Sequence, residues 1–158
     1  MQSLTQNFVY LHSYLRYFLL LFAVIVVLQS LMGMLGNRKF KPVHKQMALA
    51  LLIFCDLQLL IGGYLYYTRV IATGMLSTPG VMKDAASRFW AVEHSTSMVL
   101  AIVLVHVGYA VTKKNMDDDR KFKKLFWCSF IALGIFMAMI PWPGKQVVGR
   151  PLIPHMAQ

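Results

Sequence analysis

Apolar residues dominate four stretches of the chain, about residues 8–36, 45–68, 89–112 and 125–142, and charged residues gather between them. A helix crosses a bilayer with roughly 20 predominantly apolar residues, so each stretch predicts one span. The first has no charge between Arg16 and Arg38. The second is interrupted by Asp56, and the third carries Glu93 near its start. The fourth runs to Pro141-Trp142-Pro143, where proline removes a backbone donor and ends the helix. Four spans use well over half of the 158 residues, and the connectors between them are short. The pattern therefore predicts one domain of all-α class, an integral membrane four-helix bundle spanning residues 1–158. The first stretch lacks the basic start of a secretory signal and its apolar run is too long for one, so it reads as a retained span. No internal repeat or low-complexity segment interrupts the pattern.

Composition sharpens this picture. Hydrophobic residues make up 58% of the chain and charged residues only 14%, against about 45–50% and 25% in soluble domains. A net charge of +10 would by itself suggest a nucleic-acid surface. Here the cations flank the apolar runs instead, so the expected partner is a lipid bilayer and no nucleic acid. Arg38, Lys39, Lys41 and Lys45 follow the first span, and Lys113, Lys114, Arg120, Lys121, Lys123 and Lys124 follow the third. These ten face five on the other side: Arg69, Lys83, Arg88, Lys145 and Arg150. Because cytoplasmic loops are rich in Lys and Arg, both termini are expected outside. The expected setting is the bacterial cytoplasmic (inner) membrane, crossed several times, with both termini periplasmic. Cys55 and Cys128 fall inside spans and read as small hydrophobes rather than a disulfide.

Ionisable residues are costly in hydrocarbon, so each one inside a span is a candidate for function. The intramembrane polar set is Arg16, Asp56, Gln58, Glu93, His12, His94 and His106. At a rise of about 1.5 Å per residue, His12 and His94 share a depth, because both lie a few residues into spans that start on the same side. Gly62, Gly63, Met137 and Met139 fall in that layer as well. Histidine and methionine are axial ligands of haem iron, and glycine leaves a surface that a flat ring can approach. His12 and His94 are the candidate ligands, with Gly62 and Gly63 against the ring. Arg16 lies one turn below His12, and Arg69, Lys83 and Arg88 are cations on the side where propionates would emerge. No C-x-x-C-H sequence is present, so a haem would be haem b, held non-covalently. Arg16 is deep enough to reach Glu93 as a salt bridge between the first and third spans. Asp56 and His106 form a candidate proton-carrying pair. Tyr64, Tyr66, Tyr67, Trp90 and Trp142 read as an aromatic belt.

Leu11-His12 with Leu15-Arg16, Leu57-Gln58-Leu59-Leu60-Ile61-Gly62, Met82-Lys83-Asp84, Arg88-Phe89, Glu93-His94 and Ile140-Pro141-Trp142-Pro143 occur in that order along most of the chain. This arrangement resembles small four-span membrane proteins of Bacteroidota-type bacteria labelled cytochrome b-like. The resemblance implies b-type haem and electron transfer. It also implies a histidine where this chain has Asp56, a departure that leaves that position without a ligand role. Two readings follow. One is a haem-binding membrane cytochrome that exchanges electrons, with a quinol and a larger membrane complex or a homo-oligomer as candidate partners. The other is a non-haem membrane protein, either an accessory subunit of a larger complex or a small proton-coupled transporter using Asp56, Glu93 and Arg16. No nucleotide-binding glycine loop, Ser/His/Asp set or zinc pattern points to another chemistry.

Overall fold

The computed structural model describes residues 2–153. Four long helices, α1 (Gln2–Leu35), α2 (Pro42–Ile71), α3 (Ala85–Thr112) and α4 (Asp118–Met139), account for most of them, and no strand occurs among the described residues. Each helix is long and apolar enough to cross a membrane. Short connectors force neighbouring helices antiparallel. α1 packs on α2 and α4, and α3 packs on α2 and α4, which makes a closed up-down-up-down ring.

The helices run past several of the apolar stretches that predict them. Hydropathy marks where a helix can meet lipid, whereas capping decides where it starts and stops. α2 begins at Pro42, whose missing N–H costs nothing in a first turn. The Lys41 N–H donates to His44 Nδ1 at 2.9 Å and secures that start. α4 begins at Asp118, with acids in its first turn where the helix dipole favours them. Asp119–Lys123 and Asp117–Arg120 pairs add to that first turn, at 2.8 and 3.3 Å. α4 stops at Met139 rather than Trp142. Ile140 precedes a proline and is held extended, at φ −66° and ψ 133°.

The interior is built from small and medium side chains: Ala23 and Val26 of α1, Ala48 and Cys55 of α2, Ala101 of α3 and Ala132 of α4. Small residues let backbones approach closely where lipid offers no hydrophobic drive to association. Larger groups close one end. A Cβ on Gly33 would overlap the ring of buried Phe122, and the Phe40 and His44 rings each lie 5.0 Å from that ring. Phe18, Leu21, Leu28, Leu60, Leu100, Val103 and Trp127 project from the perimeter. An apolar girdle of that extent is a liability in water and the expected surface in hydrocarbon. Cys55 and Cys128 are free thiols.

At the end of the bundle where α1 begins, both α2 and α3 pass through a π-helical turn, Tyr67–Ile71 and Phe89–Glu93. The Tyr66 hydroxyl donates to the Ala91 carbonyl at 3.0 Å and ties the two turns together. Such wide turns recur at functional sites, and these two border a large cavity.

Candidate functional site

A cavity of about 680 Å³ opens between α1, α2 and α3 and is closed by the end of α4 and the segment that follows it. The volume falls within the range of cofactor and small-molecule sites. Its walls are largely apolar, including Val9, Leu19, Leu65, Val99, Ile102, Phe136 and Pro141. Its polar side chains include His12, Arg16, Gln58, Arg69, His94 and Arg150.

His12 and Arg16 stand four residues apart on α1 and so share a face. Gln58, four residues before Gly62 on α2, donates through Nε2 to the His12 carbonyl at 2.9 Å and sets the register of the two helices. That register puts Gly62 against the His12 ring. A Cβ on Gly62 would stand 3.3 Å from His12 Cε1, so only a glycine lets the ring lie there without displacement. Gly63 also lines the cavity, and open space surrounds the place where its side chain would be. His12 Nδ1 is buried and has no hydrogen-bond partner among the described residues.

His94 directly follows the π-turn of α3. Its Nδ1 lies 3.0 Å from the Met139 carbonyl. A carbonyl only accepts, so Nδ1 carries the proton and the neutral ring keeps its lone pair on Nε2. Trp90 and Phe89 pack on the same ring at 5.6 and 5.7 Å, centroid to centroid. The His12 and His94 rings stand 6.5 Å apart. A metal–imidazole bond is about 2 Å, so two imidazoles on opposite sides of one ion stand roughly 6 Å apart, centroid to centroid. The observed separation matches that arrangement. No group of three or more His, Cys, Asp or Glu is assembled among the described residues. A macrocycle brings its own ring donors and asks the protein only for axial ones.

All five residues expected to hold a cofactor, His12, His94, Arg16, Gly62 and Gly63, line this one cavity. The methionines of the same layer do not. Met137 points outward, and Met139 contributes its carbonyl to His94. The expected Arg16–Glu93 bridge is also not formed. Glu93 accepts from Arg88 Nε at 2.6 Å, an i,i+5 contact that the π-turn between them permits. The wider turn changes the rotational phase of Glu93, which depth along the axis does not reveal. Arg88 is thereby engaged away from the cavity, and it also donates to the Met82 carbonyl. Arg16, only 8% exposed, donates through Nη2 to the Tyr17 hydroxyl and the Leu152 carbonyl, both at 3.0 Å. Its Nε is buried and without a partner among the described residues.

Asp56 and His106 come together outside the cavity, on the outward side of the α2–α3 seam. His106 Nε2 lies 3.2 Å from Asp56 Oδ1, while His106 Nδ1 donates to the Ile102 carbonyl at 2.9 Å. With Nδ1 committed, any second proton lies between Nε2 and the carboxyl. Gln58 turns the opposite way, into the bundle, as two residues along a helix must.

Arg150 is the site residue that hydropathy does not pick out. After α4 the chain turns back, with the Gly149 N–H on the Lys145 carbonyl at 2.8 Å and the Arg150 N–H on the Pro141 carbonyl at 3.0 Å. The Arg150 guanidinium then stacks 4.3 Å over the Trp90 ring at the cavity. Burial lowers its pKa from the usual arginine value, and the Arg69 and Arg16 charges push the same way. The proline- and glycine-rich stretch of residues 141–149 is the sequence signal for such a reversal.

No family model, curated protein or solved structure matches the chain. The site therefore rests on its own geometry.

Proposed function

We propose that this chain is a membrane-embedded b-type cytochrome that carries electrons one at a time. His12 and His94 are the residues that would hold its haem iron. The observation that carries the reading is the 6.5 Å separation of two imidazoles across a largely apolar cavity. The Met139 carbonyl orients the His94 ring, as outer hydrogen bonds to ligating histidines do. Gly62 leaves His12 room to present its ring, and the surrounding walls are largely apolar. A bound haem would supply the one-electron redox chemistry. The cytochrome b-like resemblance supports the same reading. The ten-to-five cation asymmetry supports a bacterial inner-membrane location with both termini periplasmic. A quinol is a fitting electron source for a cavity inside a bilayer, and a larger complex or a second copy a fitting neighbour.

The detergent-purified protein from haem-replete cells is expected to be red, with a Soret band that shifts on dithionite reduction. His12→Ala and His94→Ala should each lose at least about tenfold in haem affinity, roughly 1.4 kcal/mol or more. A colourless wild type sinks the reading, and two variants with unchanged spectra sink the ligand assignment.

The Asp56–His106 contact favours a second reading, a small proton-coupled transporter. It predicts that Asp56→Asn abolishes proton uptake in proteoliposomes while the helical circular dichroism is unchanged. Equal uptake by both proteins rules it out.

A further inference from the structure

The cavity holds three guanidinium groups and no acid. Arg16, Arg69 and Arg150 all line it, whereas the chain's six acidic side chains lie elsewhere. Glu93 is taken by Arg88, Asp56 faces His106, and Asp84 caps the Ser87 N–H. Asp117, Asp118 and Asp119 stand at the start of α4, the opposite end of the bundle. Guanidinium groups cannot relieve their repulsion by deprotonating. Burying one without a counter-charge is costly, and buried charges are normally paired.

The structure nonetheless commits several contacts to keeping these cations together. Arg16 is more than nine-tenths buried and anchored on one edge by Tyr17 and Leu152, which leaves its Nε unpartnered. Arg150 reaches the cavity only because the chain doubles back after α4, and its stacking on Trp90 holds it there. Arg69 comes from the π-turn of α2, and its Nη2 contacts Gln6 at 3.4 Å, a neutral group. The rest of the lining is largely apolar, with Leu19, Val99, Ile102 and Phe136 among it.

We propose that Arg16, Arg69 and Arg150 form an anion-holding rim. The cavity then takes an amphiphile whose carboxylate or phosphate pairs with the arginines and whose apolar body lies against the apolar walls. Guanidinium binds both groups through paired N–H donors. In identifying the amphiphile as a porphyrin dicarboxylate the inference rests on the haem reading, while the rim itself does not depend on iron.

Metal-free protoporphyrin IX separates the two. It bears two carboxylates and offers His12 and His94 no iron. Its dimethyl ester has the same ring without the charges. Both are titrated by fluorescence anisotropy into the full-length protein purified in detergent from haem-depleted cells. Wild type should bind the diacid at least about tenfold more tightly than the ester, as charge-assisted pairing predicts. Arg150→Gln and Arg69→Gln should each reduce that preference, and the double variant should remove it. Unchanged ester binding shows that the cavity is intact, so Arg16→Gln, which risks the fold, is not essential. Equal binding of diacid and ester by wild type, or a preference that survives in the double variant, overturns the rim. A competition arm identifies the source of the anion. Displacement of the diacid by phosphatidylglycerol and not by phosphatidylcholine, lost in the double variant, supports the rim with a lipid phosphate as its occupant. If the wild type is then also colourless, the haem reading falls and the rim stands. If the wild type is red and its double variant keeps the diacid preference, the rim falls and the haem reading stands.

Discussion

Gly62 and Gly63 are adjacent on α2, yet they contribute differently. A side chain at Gly62 meets the His12 ring at 3.3 Å, whereas one at Gly63 enters open space. Overpacking a tight contact costs about 1–3 kcal/mol when the neighbours cannot yield. Gly62→Val should therefore lower the melting temperature in detergent and shift or weaken any Soret band, because His12 must turn. Gly63→Ala should leave the melting temperature within about a degree, since an open site costs little. Equal effects of the two would show that the His12 contact does not organise the site. The glycine pair and the two histidines were legible in the sequence because helical rise fixes their depth. Which glycine touches which ring was not, because that depends on how far each helix is rotated about its own axis.

At the level of elements, the π-turns and caps decide what hydropathy does not. The loop before α3 ends at Asp84, whose Oδ2 accepts the Ser87 N–H at 2.8 Å. Hydrogen bonds from Ser87 hold its carboxyl below the usual aspartate pKa. A group with a depressed pKa in the folded state adds stability above its unfolded value, near pH 4, and loses it as pH falls through the lower folded value. The first turn of α3, Ala85–Arg88, should therefore fray on acidification below about pH 4 and be unaffected between pH 5 and 8. Hydrogen exchange at the Ser87 amide, corrected for intrinsic rate, reads this directly. In Asp84→Asn the acid-dependent loss should disappear, since an amide still caps but does not titrate. Loss of protection at the same pH in the variant would assign the fraying elsewhere. Four helices were readable from four apolar stretches. The π-turns were not, and they explain why Glu93 meets Arg88 and not Arg16.

For the whole molecule, the connectors at residues 36–41 and 113–117 lie at the end of the bundle opposite the cavity, and most of the chain's cations gather at that end. If cations mark the cytoplasmic side, the cavity lies toward the periplasm. In a background with Cys55 and Cys128 replaced by alanine, Pro79→Cys should react with an impermeant maleimide in intact spheroplasts. Asn115→Cys should react only after lysis. The reverse pattern would invert the bundle and put the cavity on the cytoplasmic side.

The sequence alone determined the helix number, the all-α class and the layer shared by His12, His94, Gly62 and Gly63. Those properties follow from local hydropathy and a constant rise per residue, which act along one dimension. Only the tertiary structure decided the partners. It gave Arg88 to Glu93, set His106 beside Asp56, and brought Arg150 back from beyond the last span to join Arg16 and Arg69. Each of those choices depends on helix rotation, on a wide turn or on a chain reversal, and these are settled when four helices pack against one another.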